Sequence, residues 1–402
     1  MNENFLILAA GLALAYGAVS RVANDSVVTP PMAFMGVGLL FGPLGLDLLD
    51  IPIANEAIAL LAEVALIIIV CSDASQVDRR EIRKVEQLPI RLLFIGLPLT
   101  MALGAGIAAL SFPGLEWAAL VLIALILSPT DAALGQAVIT SESVPLPVRE
   151  SLNVESGLND GIALPPIFIA LFLLGADLSD IPRHDWISFA ALQVLLGPLA
   201  GSVVGLSGGR LIDYAAGRGW VDPNVGRLAL PAIALLAYAL AEAIGGNGFI
   251  AAFVSGFMLG VRTPKIREQM QEFGETEGTL LSLLVFLILG LVLIPKTIDD
   301  WSWQTTCYAL LSLTVARMLP VAIAVVGMRL DLRTVLFLGW FGPRGIASIL
   351  YLLLLVQYLG STGYETLIAT GTETIALSVV LHGLTAAPIA RRYGRWESKH
   401  EA

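Results

Sequence analysis

The chain has 402 residues, of which 56% are hydrophobic and 14% are charged, and its mean hydropathy is +0.82. Soluble domains carry about 25% charged residues, so this composition excludes an ordinary soluble protein and indicates a chain embedded in a membrane. The formal net charge of −10 argues against a nucleic-acid-binding function.

Apolar segments of nearly twenty residues, separated by charges, prolines and glycines, predict an all-α polytopic membrane protein. About thirteen transmembrane helices are expected, near residues 5–22, 29–49, 55–72, 88–110, 116–138, 150–175, 186–208, 226–245, 247–261, 277–295, 303–326, 333–357 and 365–389. The whole chain, 1–402, is therefore interpreted as a single membrane domain. The short sequence after residue 389 predicts no soluble regulatory domain.

The basic residues predict an orientation, because Lys and Arg in short loops favour the cytoplasmic side. With a cytoplasmic C-terminus, 19 of the 23 Lys and Arg residues lie inside. Arg183 and Lys296 lie outside, and Arg317 and Arg344 lie within segments. The sequence thus predicts an N-terminus outside and a C-terminus in the cytoplasm.

Two of the predicted helices are interrupted by a proline beside a charged residue. The fifth contains Pro129-Thr130-Asp131, and the twelfth contains Pro343-Arg344. They occupy matching places in two six-helix repeats, about 5–175 and 226–389, joined by a linker helix near 186–208. Since they are seven segments apart in the chain, an odd number, they cross the membrane in opposite directions. Such pairs in inverted repeats are typical of transporter binding sites, where the unwound helices cross.

The two interruptions carry opposite charges. Pro129 has no N–H and frees carbonyl oxygens of the preceding turn, so Asp131 beside them predicts a cation-attracting site. Arg344 either compensates the helix ends and neighbouring acids, or forms a purely structural pair with Asp131. The sequence leaves both interpretations open.

The sixth segment contains the most informative acids, Glu155 and Asp160. Ser156 and Asp160 are four residues apart and share one helix face, whereas Glu155 and Asn159 share another. A carboxylate and a hydroxyl one turn apart suit a small cation. Glu155 needs a basic partner inside the membrane, and Arg317 is the favoured candidate.

These residues resemble a known family. The run Glu155-Ser156-Gly157-Leu158-Asn159-Asp160 is similar to the signature of monovalent cation/proton antiporters of the NhaP and Na⁺/H⁺ exchanger type. Further matching elements follow the family's order: Thr130-Asp131, Arg317 in Ala316-Arg317-Met318-Leu319, Gly342-Pro343-Arg344-Gly345 and His382-Gly383-Leu384-Thr385. The family commonly places a proline after the Thr-Asp pair, whereas this chain has Pro129 before it.

The resemblance implies a function and roles for individual residues. Asp160 would alternately carry a proton and a cation, with Thr130, Asp131, Ser156 and Asn159 lining the cation site. Glu155 and Arg317 would form a structural ion pair. The implied protein is a homodimer in the plasma membrane of a bacterium or archaeon, has no cofactor, and exchanges Na⁺, Li⁺ or K⁺ for H⁺ in pH homeostasis.

One carboxylate beside a neutral Asn predicts electroneutral exchange, because a cation and a proton compete for the same charge. An organic-anion symporter on a related inverted-repeat fold is the alternative, with Arg344 binding substrate. A membrane-embedded enzyme is a third, unsupported by any catalytic motif or metal-ligand spacing. Glu63, Glu242 and Glu373 also fall within segments, as gating, pH-sensing or structural acids.

Overall fold

A computed structural model describes residues 3–24, 28–76, 87–131, 134–139, 141, 143–178, 185–262 and 267–397. Within these ranges all regular structure is helical. The basic residues at 79–84 and Arg183, used above for orientation, lie outside the described residues.

The first part of the chain forms seven helices of at least ten residues. They are α1 (Glu3–Asn24), α2 (Pro30–Phe41), α3 (Glu56–Gln76), α4 (Leu88–Ser111), α5 (Trp117–Ile126), α6 (Leu146–Leu174) and α7 (Trp186–Gly217). Helix α4 contains a π-helical turn at Leu92–Gly96, just before Pro98. A single helical turn, Gln136–Ile139, follows α5.

The second part forms eight labelled helices. They are α8 (Ala229–Ala243), α9 (Gly248–Arg262), α10 (Arg267–Ile288), α11 (Trp303–Leu313), α12 (Val315–Ala324), α13 (Leu332–Trp340), α14 (Ile346–Leu359) and α15 (Glu365–Glu397). Helix α10 continues through a π-helical turn, Leu289–Leu293, into a last turn, Ile294–Thr297.

Each predicted segment contains a helix. Among the described residues, seven spans are long and apolar enough to cross a membrane, and six further apolar helices are shorter. The polytopic all-α class is confirmed, while the count of thirteen crossings stays a prediction. Several helices extend beyond the predicted apolar segments, such as α7, which continues to Gly217.

The predicted interruptions appear as non-helical backbone. Helix α5 ends at Ile126, and residues 127–131 are not helical. Pro129 has no N–H to donate to the Leu125 carbonyl, which accepts from the Ser128 amide at 3.3 Å instead. The Ser128 hydroxyl donates to the Ala124 carbonyl at 2.5 Å. Residues 341–345, which contain Gly342 and Pro343, separate α13 from α14 in the same way.

Helix α9 packs between α7 and α3 through small residues. The backbones come so close that a Cβ at Gly201 of α7 would overlap Ala251 of α9, and one at Gly256 of α9 would overlap Cys71 of α3. Close approach of this kind stabilises helix pairs where lipid removes the hydrophobic driving force. Helix α6 contacts both α3 and α9, and thus carries its polar residues into the centre of the bundle.

Candidate cation site at the crossing of two broken helices

The two unwound segments contact each other directly. The Asp131 amide donates to the Pro343 carbonyl at 2.9 Å. Arg344 Nη1 donates to the carbonyls of Ser128 and Pro129, the latter at 3.1 Å. Arg344 is fully buried, so its charge compensates the carbonyl end of α5 away from water.

Asp131 occupies the opposite helix end at this crossing. Its Oδ2 accepts from the Ile346 amide at 2.6 Å, at the start of α14. A carboxylate at a helix N-terminus is favourable because it meets free N–H groups and the positive end of the helix dipole. A Cβ at Gly345 would overlap this carboxylate, which explains the glycine. Each broken helix therefore provides the charge that stabilises the other.

Helix α6 brings three polar side chains to the crossing. Asn159 Nδ2 donates to Thr130 Oγ1 at 2.6 Å, and Thr130 Oγ1 lies 3.1 Å from Ser156 Oγ. Thr130 thereby connects the two helix faces on which Ser156 and Asn159 lie. Asp160 follows directly on α6 and is 7% exposed.

Two oxygen atoms at this place have no hydrogen-bond partner. Asp160 Oδ1 and Asn159 Oδ1 are both buried and unpartnered. Buried polar atoms in proteins are almost always satisfied, so two free acceptors on neighbouring residues indicate a ligand that supplies positive charge or a proton. Carboxylate, amide and hydroxyl oxygens are the hard ligands that small cations prefer.

The backbone around Asp160 is fixed by two aromatic residues that the sequence reasoning missed. Tyr351 of α14 is fully buried, and its hydroxyl donates to the Asp160 carbonyl at 2.9 Å. The ring of Phe253 of α9 lies against Gly161, where a Cβ would overlap it. Neither residue stands out in sequence, because both lie in uniformly apolar segments.

Glu155 and Arg317 form a two-pronged ion pair beside this site. Arg317 Nη1 lies 2.5 Å from Glu155 Oε1, and Nη2 lies 2.8 Å from Oε2. Gly342 of the second unwound segment lies against the guanidinium, since a Cβ there would overlap Arg317 Nε. The pair thus joins α6, α12 and the crossing.

Comparison with known proteins identifies the family. The family model described as "Sodium/hydrogen exchanger, transmembrane" matches residues 7–392. The chain belongs to the sodium/hydrogen exchanger family. The resemblance drawn from the motifs is therefore confirmed.

Two relatives align with nearly the whole chain at the same identity. A K(+)/H(+) antiporter NhaP from Alkalimonas amylolytica is 26% identical over 394 residues, covering 96% of this chain and 67% of the relative. A Na(+)/H(+) antiporter from Schizosaccharomyces pombe is 26% identical over 427 residues, covering 94% of this chain and 88% of the relative.

A solved exchanger structure shares the fold. The sodium proton antiporter MjNhaP1 from Methanocaldococcus jannaschii superposes with a TM-score of 0.77 at 20% identity, covering 97% of this chain and 99% of that one. The likeness confirms the antiporter fold.

Asp73 is a third carboxylate near the candidate cation site, and it was not predicted from the sequence. It lies on α3, one residue beyond the predicted segment 55–72, and interacts electrostatically with Asp160 and Asp131. A charge at the end of an apolar run was the available signal. Because like charges repel, three neighbouring acids favour uptake of a cation or a proton.

The three further acids that the sequence placed in predicted segments, Glu63, Glu242 and Glu373, each accept a hydrogen bond from another residue. Glu63 accepts from the Tyr238 hydroxyl, and Glu242 Oε1 accepts from the Gly248 amide at 2.7 Å. Glu373 Oε1 accepts from the Thr306 hydroxyl of α11 at 2.5 Å. None of these hydrogen bonds includes a residue of the cation site.

Proposed function

We propose that the protein exchanges a monovalent cation, Na⁺ first and otherwise Li⁺ or K⁺, for H⁺ by alternating access. Asp160 is the shared carboxylate, and Thr130, Asp131, Ser156 and Asn159 provide further oxygen ligands. The buried, unpartnered Asp160 Oδ1, on the helix whose Ser156 and Asn159 contact Thr130, carries this proposal. Family membership supports it, as do relatives named K(+)/H(+) and Na(+)/H(+) antiporters.

The exchange is one cation for one proton. Glu155 is matched by Arg317, and one oxygen of Asp131 accepts from the start of α14. Asn159, next to Asp160, is neutral. A cation and a proton therefore compete for Asp160, and the site crosses the membrane in the same charge state with either.

The proposed architecture supports this cycle. Inverted repeats at about 5–175 and 226–389, connected by a linker helix near 186–208, place the broken helices at equivalent depths. The protein is a homodimer in the lipid bilayer of a bacterial or archaeal plasma membrane, with its N-terminus outside and its C-terminus in the cytoplasm. It is a transporter whose substrates are a cation and a proton, and it is not an enzyme.

An organic-anion symporter fits this site poorly. Asp73, Asp131 and Asp160 lie within electrostatic range of one another and would repel an anion. Arg344 Nη1 donates to the carbonyls of Ser128 and Pro129, and thereby stabilises the contact between the two unwound segments.

Reconstitution tests the function directly. Purified protein in liposomes with an internal pH dye should move protons when NaCl, LiCl or KCl is added, and should not respond to choline chloride. Asp160→Asn should abolish the response in folded protein, whereas Asp299→Asn, at an exposed position, should retain it. Absence of alkali-cation-dependent proton movement in folded wild-type protein, or a normal response in Asp160→Asn, would overturn the proposal.

A further inference from the structure

One sequence element, His382-Gly383-Leu384-Thr385 on α15, has no place in the cation site described above. His382 is 1% exposed and lies about one helical turn after Ser378, which is fully buried. Its ring lies 5.0 Å from the ring of Trp340, the last residue of α13. Thr385 accepts from the indole Nε1 of the same tryptophan at 3.0 Å. The element thus holds the residue at which α13 unwinds.

The unwound segment separates a hydrogen-bond pair that a continuous helix would keep. In an α-helix the amide of residue 344 would donate to the carbonyl of residue 340. Here the Arg344 amide donates to Ser378 Oγ at 2.7 Å, and His382 Nε2 lies 3.0 Å from the Trp340 carbonyl. That carbonyl also accepts from the Gly342 amide at 2.8 Å. Ser378 and His382 therefore take the places of the two lost partners.

The two α15 side chains also bind each other. His382 Nδ1 lies 3.1 Å from Ser378 Oγ and 3.0 Å from the Ser378 carbonyl. Both ring nitrogens face a carbonyl, which only accepts, and a neutral ring carries one proton. With the proton on Nε2, His382 donates to the Trp340 carbonyl and Nδ1 accepts from the Ser378 hydroxyl; with the proton on Nδ1, His382 donates to the Ser378 carbonyl. In the Nε2 tautomer the donors run in one direction, from the Arg344 amide to the Ser378 hydroxyl, from that hydroxyl to His382, and from His382 to the Trp340 carbonyl.

We propose that Ser378 and His382 are positioning residues of the cation site, because they hold Trp340, just before the unwound segment 341–345, and Arg344, near its end. The segment reaches the site through two contacts: Arg344 Nη1 on the Ser128 and Pro129 carbonyls, and the Pro343 carbonyl on the Asp131 amide. The hydrogen bonds of Ser378 and His382 described above include none of the proposed cation ligands. A shift of this segment displaces Thr130 and Asp131, and so weakens cation binding.

Four variants test the inference, which rests on the proposed exchange at Asp160. His382→Leu removes both hydrogen bonds. His382→Gln keeps an N–H donor and an oxygen acceptor on one side chain, and Ser378→Ala removes the central hydroxyl. The matched control is Tyr393→Phe, because the buried 2.9 Å bond between Tyr393 and Thr334 joins the same two helices, α13 and α15, away from the unwound segment.

Cation KM, maximal rate and melting temperature are measured for each variant in proteoliposomes and detergent. His382→Leu and Ser378→Ala should raise the cation KM roughly five- to tenfold. The first removes the hydrogen-bonding ring from the Trp340 carbonyl, and the second leaves the Arg344 amide without its partner. His382→Gln should stay within about twofold of wild type. Tyr393→Phe should lower the melting temperature without changing the KM.

Each outcome decides the question. If the Leu and Ala variants keep the wild-type KM, or if Tyr393→Phe raises it as much as they do, the hydrogen bonds are only structural and the inference fails. A Gln variant as impaired as the Leu variant also contradicts it. Should His382→Leu fail to fold, the comparison of Ser378→Ala with Tyr393→Phe decides. Failure of wild-type exchange would instead reject the proposed function.

Discussion

Arg317 of α12 holds both carboxylate oxygens of Glu155 of α6, at 2.5 and 2.8 Å, and each residue is 1% exposed. The pair is locally neutral, and its Glu155 lies between one and two turns before Asp160 on α6. Because Glu155 already has a counter-charge, Asp160 is the acid of α6 that remains available for a transported cation.

Removing either charge of this pair should destabilise the protein. Glu155→Gln or Arg317→Gln leaves the other charge buried without a partner, which typically costs about 3 to 5 kcal/mol. The double variant should recover part of this loss, because no unpaired charge remains. Melting temperatures of the four proteins in one detergent provide the measurement. A double variant no more stable than the worse single variant would show that the two charges do not stabilise each other.

The Thr130 hydroxyl should determine cation affinity. It accepts from Asn159 and lies 3.1 Å from Ser156 Oγ, so Thr130→Val leaves the Asn159 amide without its partner and removes one oxygen ligand. We expect a roughly tenfold increase in the cation KM for the Val variant, whereas Thr130→Ser, which retains the hydroxyl, should remain near wild type. Equal KM values for Val and Ser would contradict a role for this oxygen.

Gly161 should not tolerate a side chain. A Cβ there would overlap the Phe253 ring, so Gly161→Ala must displace either α6 beside Asp160 or the ring itself. Exchange activity should fall, and combination with Phe253→Leu should restore part of it. Gly106→Ala is the control, because no atom lies within 4 Å of its added Cβ. Full activity of Gly161→Ala would show that this contact does not matter.

Exchange should not respond to the membrane potential. Since the site carries the same charge with a cation or with a proton, each cycle moves no net charge. Proteoliposomes are clamped with valinomycin and potassium, after a check that potassium is not a substrate, and uptake of radioactive sodium is followed. Accumulation of sodium driven by the potential alone would show that a second charge moves, with Asp131 as the first suspect.

Much of the site was predictable because its determinants are local. Pro129 and Pro343 interrupt helices by removing an N–H, an effect that depends little on tertiary context. Ser156, Asn159 and Asp160 lie within two turns of one helix, so their spacing alone fixes their relative directions. The Glu155–Arg317 pair was also predictable, because few bases lie within the apolar segments to match a buried acid.

The remainder depends on contacts between distant helices. Tyr351 lies in a run of leucines, and only the packing of α14 against α6 directs its hydroxyl to the Asp160 carbonyl. Phe253 resembles any lipid-facing aromatic residue until its position against Gly161 is known. Asp73 lies at the end of an apolar run, where an acid is usually solvated. The roles of these residues depend on which helices pack together, and the spacing of residues along the sequence does not predict that packing.

Proton release during cation binding tests the shared role of Asp160 most directly. Purified protein is titrated with NaCl by calorimetry in buffers of different ionisation enthalpy, at several pH values, for wild type and Asp160→Asn. Wild type should release about one proton per bound cation at acidic pH, with fewer protons released and tighter cation binding as the pH rises. Asp160→Asn should neither bind the cation nor release protons. Cation binding without proton release throughout the pH range, or normal release by Asp160→Asn, would contradict a carboxylate shared by cation and proton.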